Sequence, residues 1–104
     1  MSIKKISAVD FDRISASPEK MVLIKFYADW CGPCKQFAPI LAKFADSHPE
    51  LAVYEMNVDA PENLELMEEL EISTIPTIIL FRNGEILSRT SGFLNQRDLD
   101  KLPI

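Results

Sequence analysis

Apolar side chains along this chain switch between a strand-like and a helix-like period, and each switch marks an element. Residues 3–6 read as a short strand, and Ser7 with Asp10 three positions on forms a capping pair that opens a helix over residues 8–15. Pro18 closes that region. Residues 21–28 are β-branched, aromatic and apolar on both faces except at Lys25, the pattern of a central strand covered from both sides. From Cys34 onward, Phe37, Ile40, Leu41 and Phe44 fall at i, i+3, i+4 and i+7, one stripe of a helix that stops by His48 and Pro49. Pro39 inside it lacks a backbone donor, which predicts a kink.

Residues 51–59 supply the next strand, and a helix linking two such strands makes a βαβ unit with parallel pairing. A third helix starts near Asp59 or Ala60, with Pro61 in its first turn and Leu64, Met67 and Leu70 along one side. Residues 77–81 and 86–91 flank Asn83-Gly84, whose tolerance of left-handed backbone predicts a tight antiparallel hairpin. Asn95 and Asp98 cap a short last helix, anchored by Leu99 and Leu102 and stopped by Pro103. Parallel strands around a helix, then a hairpin, then a closing helix, make an α/β fold: a mixed sheet with helices on both faces.

Composition narrows the function. A chain of 104 residues, 47% apolar and 26% charged, reads as one domain over residues 1–104 that builds a core without disulfide staples. Its formal charge is −5, and no basic cluster extends beyond Lys4-Lys5, which argues against nucleic acid. No apolar run approaches the ~18 residues needed to cross a membrane. Asp10 and Asp12 arrive before any signal-like apolar stretch, so the expected location is the cytoplasm. Nine acidic residues and no Lys or Arg lie between Lys43 and Arg82. That run reads first as a solvated helix face and second as a surface that steers partners.

The two cysteines, Cys31 and Cys34, are too few for a secreted disulfide framework. They sit where a strand hands over to a helix, so the first sulfur meets unpaired N–H groups and the positive end of the helix dipole. That location favours thiolate, and a second thiol one turn on is placed to attack a mixed disulfide. Cys31 is therefore the expected exposed, attacking sulfur and Cys34 the buried, resolving one. Gly32 permits close approach of a partner, and Pro33 fixes the first turn without forfeiting a needed hydrogen bond. A structural zinc site wants four ligands, whereas this chain adds only His48 to the pair, so no metal is expected. Covalent haem would need His where Lys35 stands. A purely structural disulfide closing so short a loop would add little stability.

Ala28-Asp29-Trp30-Cys31-Gly32-Pro33-Cys34-Lys35, Pro39, Asn57-Val58-Asp59, Ile75-Pro76-Thr77, Phe81-Arg82-Asn83-Gly84 and Gly92 together resemble the thioredoxin family, nearly end to end. The resemblance implies a five-stranded sheet of order 1-3-2-4-5 with four helices. It implies a thiol-disulfide oxidoreductase that reduces protein disulfides without a bound cofactor. Recharging by a reductase, commonly NADPH-linked thioredoxin reductase, goes with that, and a monomer is expected. It also implies that Pro76 is cis and faces the cysteines, that backbone at Ile75 pairs with an extended substrate segment, and that Trp30 and Gly92 border the substrate groove. Alternative readings are a redox-inactive binding module on the same fold, and a disulfide oxidase or isomerase.

Two departures stand out. The family usually carries a buried Asp six residues before the first cysteine and a Lys on the adjacent strand; here those positions hold Lys25 and Glu55. Strand alternation groups Lys25 with Leu23 and Tyr27, and Glu55 with Val53 and Asn57, so adjacent parallel strands can bring the heads together as a charge-swapped pair; the alternative reading is that Lys25 snorkels to solvent and Glu55 is a surface charge. In that arrangement Glu55 is the candidate to handle the proton of Cys34, directly or through water. The second departure is the shortness of the final helix.

Overall fold

Strand β2 (Val22–Tyr27) is buried at every residue, and the rest of the chain is arranged around it. The structure, a computed structural model, describes residues 3–104. In chain order the other elements are β1 (Lys4–Lys5), α1 (Ala8–Ser15), α2 (Gly32–Ser47), β3 (Ala52–Asn57), a 3-10 turn (Pro61–Asn63), α3 (Leu64–Glu69), β4 (Thr77–Arg82), β5 (Glu85–Ser91) and α4 (Gln96–Asp100). The sheet order is β1-β3-β2-β4-β5. β3 runs parallel to both β1 and β2, while β4 is antiparallel to β2 and to β5. This is the expected five-stranded mixed sheet with four helices.

The pleat sorts side chains into two cores. Val22, Ile24, Phe26, Met56, Ile79 and Phe81 point one way, to meet Ile14 of α1 and Leu66 and Met67 of α3. Leu23, Ile78 and Leu80 point the other way, to Phe37, Leu41 and Phe44 of α2 and to Leu99 of α4. The helical stripe read from the sequence is thus the face α2 buries, apart from half-buried Ile40. α2 continues through Pro39 as a single helical run of 16 residues. Leu99 and Leu102 are 1% and 8% exposed, so even the short α4 seals its side of the sheet.

Local signals account for the ends of the elements. Asn95 Oδ1 accepts from the N–H groups of Arg97 (2.9 Å) and Asp98 (3.3 Å), and Asp98 Oδ2 accepts from the Asn95 N–H at 2.9 Å, a complete capping box. Asn83 and Gly84 turn the hairpin with φ of 52° and 82°. The Gly84 N–H then donates to Ser15 O at 2.9 Å, which ties the turn to the end of α1.

The structure revises two local expectations. The first strand shrinks to Lys4–Lys5, although the Ile6 N–H still donates to Glu55 O at 2.9 Å. In α3 the buried side chains are Leu66 and Met67, with Leu70 half-buried, whereas Leu64 is 52% exposed. An i, i+3, i+6 series drifts by roughly 60° per step around a 3.6-residue helix, so Leu64 cannot share a face with Leu70.

Candidate active site

β2 delivers the chain to Cys31, whose extended backbone (φ −85°, ψ 112°) makes it the N-cap of α2. Pro33 follows in the first turn, where its missing donor costs nothing. The cap is a sulfur: Cys31 Sγ accepts from the Cys34 N–H at 3.1 Å. Cys31 and Cys34 are joined as a disulfide, with Cα atoms 5.3 Å apart. When that bond is reduced, the same N–H and the positive end of a 16-residue helix face the Cys31 sulfur.

Both cysteines are buried, each 3% exposed, which corrects the expectation of an exposed Cys31. In the disulfide its sulfur is bonded to Cys34, and the two cysteines form a buried cluster with Tyr27 and Ala28 against which Val58 and Ile75 pack. Cys31 Sγ lies 3.9 Å from the Ile75 carbonyl oxygen, and the Ile75-Pro76 peptide bond is cis. The Gly92 N–H donates to Pro76 O at 3.1 Å, bringing the loop after β5 to the same place. Gly92 has φ of 103°, which a side chain would strain, and space in front of it is open. Thus Cys31, Cys34, Ile75, Pro76 and Gly92 converge from three chain segments, with exposed Gly32 and half-buried Pro33 at the rim.

Trp30 stands beside this surface, 70% exposed. Its indole Nε1–H donates to Asp59 Oδ2 at 2.6 Å, and the Asp59 N–H donates to Asn57 Oδ1 at 2.8 Å. Asp59 was present in the Asn57-Val58-Asp59 motif, but no spacing signal assigned it to an indole 29 positions away. Phe93, next to Gly92 and 81% exposed, also escaped the sequence reading. An exposed large aromatic beside a positive-φ glycine was the available clue.

Lys25 and Glu55 lie below the disulfide. They are register partners on β2 and β3, and Lys25 Nζ is 3.2 Å from Glu55 Oε1. The lysine side chain is 5% exposed and the glutamate 22%, so the carboxylate links a buried ammonium to solvent. A cavity of about 220 Å³ touches Lys25, Tyr27, Cys34 and Glu55 together, which places the ion pair and the second cysteine on one space. Lys5 completes the row, as register partner of Glu55 on β1. The ammonium groups of Lys5 and Lys25 stand 5.8 and 5.1 Å from the centre of the Tyr27 ring. The Tyr27 side chain holds the Lys5 ammonium above its ordinary 10.5, and the Glu55 and Asp29 carboxylates add to that. Among the described residues, no three His, Cys, Asp or Glu side chains are placed to hold a metal ion. His48 instead closes α2, with Nδ1 2.9 Å from Phe44 O.

Comparison with known proteins agrees with this geometry. A family model described as Thioredoxin matches residues 2–102. "Thioredoxin-2" of Saccharomyces cerevisiae is 38% identical over 86 residues, 83% of this chain and 81% of that protein. "Thioredoxin" of Chlamydia pneumoniae is 39% identical over 100 residues, 96% of this chain and 94% of that protein. Among solved structures, mitochondrial thioredoxin 3 of S. cerevisiae in its oxidised form superposes with a TM-score of 0.83 at 30% identity, over 95% of this chain and 91% of that one.

Proposed function

The chain belongs to the thioredoxin family and is a thiol-disulfide oxidoreductase that reduces protein disulfides, and from that premise we propose that Cys31 attacks and Cys34 resolves. The observation that carries the assignment is the Cys31 sulfur at the N-cap of α2, accepting the Cys34 N–H. In the reduced protein the Cys31 thiolate attacks one sulfur of a substrate disulfide, and the other substrate sulfur leaves as a thiolate that takes up a proton. Cys34 then loses its proton and attacks Cys31 Sγ. The Cys31–Cys34 disulfide forms, the mixed disulfide breaks, and the substrate departs as a dithiol carrying two electrons and two protons.

Trp30, Gly32, Pro33, Ile75, Pro76 and Gly92 form the substrate surface in this reading. Ile75 offers backbone to an extended segment, and Trp30, pinned by Asp59, gives an apolar flank. Glu55 accepts the proton of Cys34 across the shared cavity, and Lys25 positions the carboxylate by the 3.2 Å ion pair.

Members of this family act on disulfide-bearing proteins and are recharged by a reductase. For this chain we take the recharging enzyme to be an NADPH-linked thioredoxin reductase, the state to be monomeric and the location to be the cytoplasm. No helix among the described residues is long and apolar enough to cross a membrane. Reduction of insulin disulfides, followed with NADPH and a thioredoxin reductase, tests the reading. Cys31→Ser is expected to abolish turnover, and Cys34→Ser to trap the mixed disulfide; full turnover by Cys31→Ser would overturn it.

A further inference from the structure

The segment that carries Ile75 to the disulfide is held at both ends by one strand. Residues 72–76 join α3 to β4 without regular structure, and within them Ile75 places its carbonyl oxygen 3.9 Å from Cys31 Sγ. The far end is fixed where β4 begins. Thr77 pairs with Ser91 of β5, the Gly92 N–H donates to Pro76 O at 3.1 Å, and Thr77 Oγ1 donates to Thr74 O. The near end leaves a helix of only six residues, which its own hydrogen bonds hold weakly.

α3 stops in a Schellman turn. Glu71 takes φ of 56°, the Ile72 N–H donates to Met67 O at 2.9 Å, and the Glu71 N–H donates to Glu68 O at 3.1 Å. Those bonds use the carbonyls of Met67 and Glu68 and leave the last carbonyls of the helix in need of partners. Arg89 of β5 supplies them: Nη1 donates to Leu70 O and Nη2 to Glu71 O. Arg89 is the register partner of Ile79, three residues before Gly92, so β5 reaches the start of the segment with one residue and its end with another. A guanidinium presents two donors at fixed spacing, and hydrogen bonds from a charged donor are roughly twice as strong as neutral ones. The Arg89 side chain is exposed, so these two bonds rather than burial fix its place.

We propose that Arg89 is a positioning residue for client recognition: by clasping the end of α3 it sets where residues 72–76 begin, and thereby holds Ile75 at the height at which an extended client segment pairs with it. The inference rests on the disulfide-reductase reading above and deepens it, naming what keeps that backbone in place. Arg89 acts through Ile75 and not on the sulfurs. Loosening the clasp therefore weakens pairing with a client backbone but leaves the α2 N-cap, which belongs to a different segment, as it is.

Arg89→Met keeps an aliphatic stem and removes both donors, whereas Arg89→Lys keeps the charge without the fork. Each full-length protein, prereduced, is assayed against a peptide closed by one disulfide and against hydroxyethyl disulfide, which has no backbone to pair. For Arg89→Met, kcat/KM with the peptide is expected to fall about tenfold, mostly through KM, with Arg89→Lys in between. The rate with hydroxyethyl disulfide and the pH inflection of Cys31 alkylation are expected to stay unchanged. Undiminished peptide turnover by Arg89→Met would overturn the proposal, and so would an equal loss on both substrates, the mark of a general weakening of the fold. One measurement needs no variant: in nitrogen NMR spectra of the unaltered protein, the two Arg89 Nη groups are expected as separate signals, and a single signal averaged by free rotation would overturn the clasp. Reduction of hydroxyethyl disulfide by the unaltered protein keeps the two readings apart. Its failure would remove the redox reading and this inference with it, whereas its success with unchanged peptide kinetics in Arg89→Met would remove this inference alone.

Discussion

The two faces of the sheet bury different chemistry. Beneath α1 and α3 the buried cluster is Ile6, Ile14, Val22, Ile24, Phe26, Met56, Leu66, Met67, Ile79 and Phe81, hydrocarbon and thioether throughout. Beneath α2 the packing is equally apolar from Leu23 to Phe44, but at the cysteine end it gives way to Lys25, with Glu55 alongside. A core needs only close packing, so an ion pair at the cysteine end of one half of the interior is what motivates the proposed proton-handling role of Glu55. The contrast also says which face can be altered without touching the chemistry.

The largest expected effect is on the apolar face. Phe26 is fully buried, and Phe26→Ala is expected to lower stability by about 3 to 5 kcal/mol, seen as a lower denaturant midpoint, while the surviving folded protein reduces disulfides normally. Loss of activity beyond the loss of folded protein would break the separation of the faces. Second comes the ionic face, where the two partners are unequal. Glu55→Gln strands an ammonium that is 5% exposed and is expected to cost about 3 kcal/mol. Lys25→Met leaves a carboxylate with access to water and is expected to cost about half as much. Both should shift the pH profile of disulfide reduction, and equal costs with an unchanged profile would contradict the assigned roles.

Smaller effects sharpen the picture. Glu71, just past the end of α3, holds φ of 56°, a left-handed conformation that glycine adopts freely. Glu71→Gly is expected to raise the denaturant midpoint by the equivalent of about 1 kcal/mol; a lower midpoint would mean that the carboxylate has a structural partner. The smallest effect is at Lys5, fully exposed, whose folded-state pKa is raised above 10.5. A raised pKa on a cation contributes stability that is complete below 10.5 and disappears as pH climbs through the folded value. Thermal melts through the alkaline range should therefore fall more steeply for the unaltered protein than for Lys5→Met, and parallel curves would remove Lys5 from the row.

Much of this was legible in the residues because the signals were local. The Ser7/Asp10 start of α1, the Asn83-Gly84 turn and the i, i+4 stripe of α2 each involve neighbours in sequence, and each element formed where those neighbours specified. The Lys25–Glu55 contact was also readable, since strand alternation and a parallel register suffice to put two heads side by side. What stayed hidden depended on distant contacts. Trp30 meets Asp59 across 29 positions, Arg89 reaches the end of α3 from another strand, and Cys31 is covered by Ile75 from 44 positions away. Leu64 was misplaced for a different reason: a period-three reading was applied to a helix with 3.6 residues per turn.

The central claim is that the strand-to-helix junction makes Cys31 the reactive sulfur. The direct measurement is the pH dependence of iodoacetamide alkylation of the reduced protein, with the modified residue identified by mass spectrometry. The account predicts that Cys31 is alkylated first, with an inflection well below the value of ~8.5 for a free thiol. An inflection at that ordinary value, or prior modification of Cys34, would contradict it.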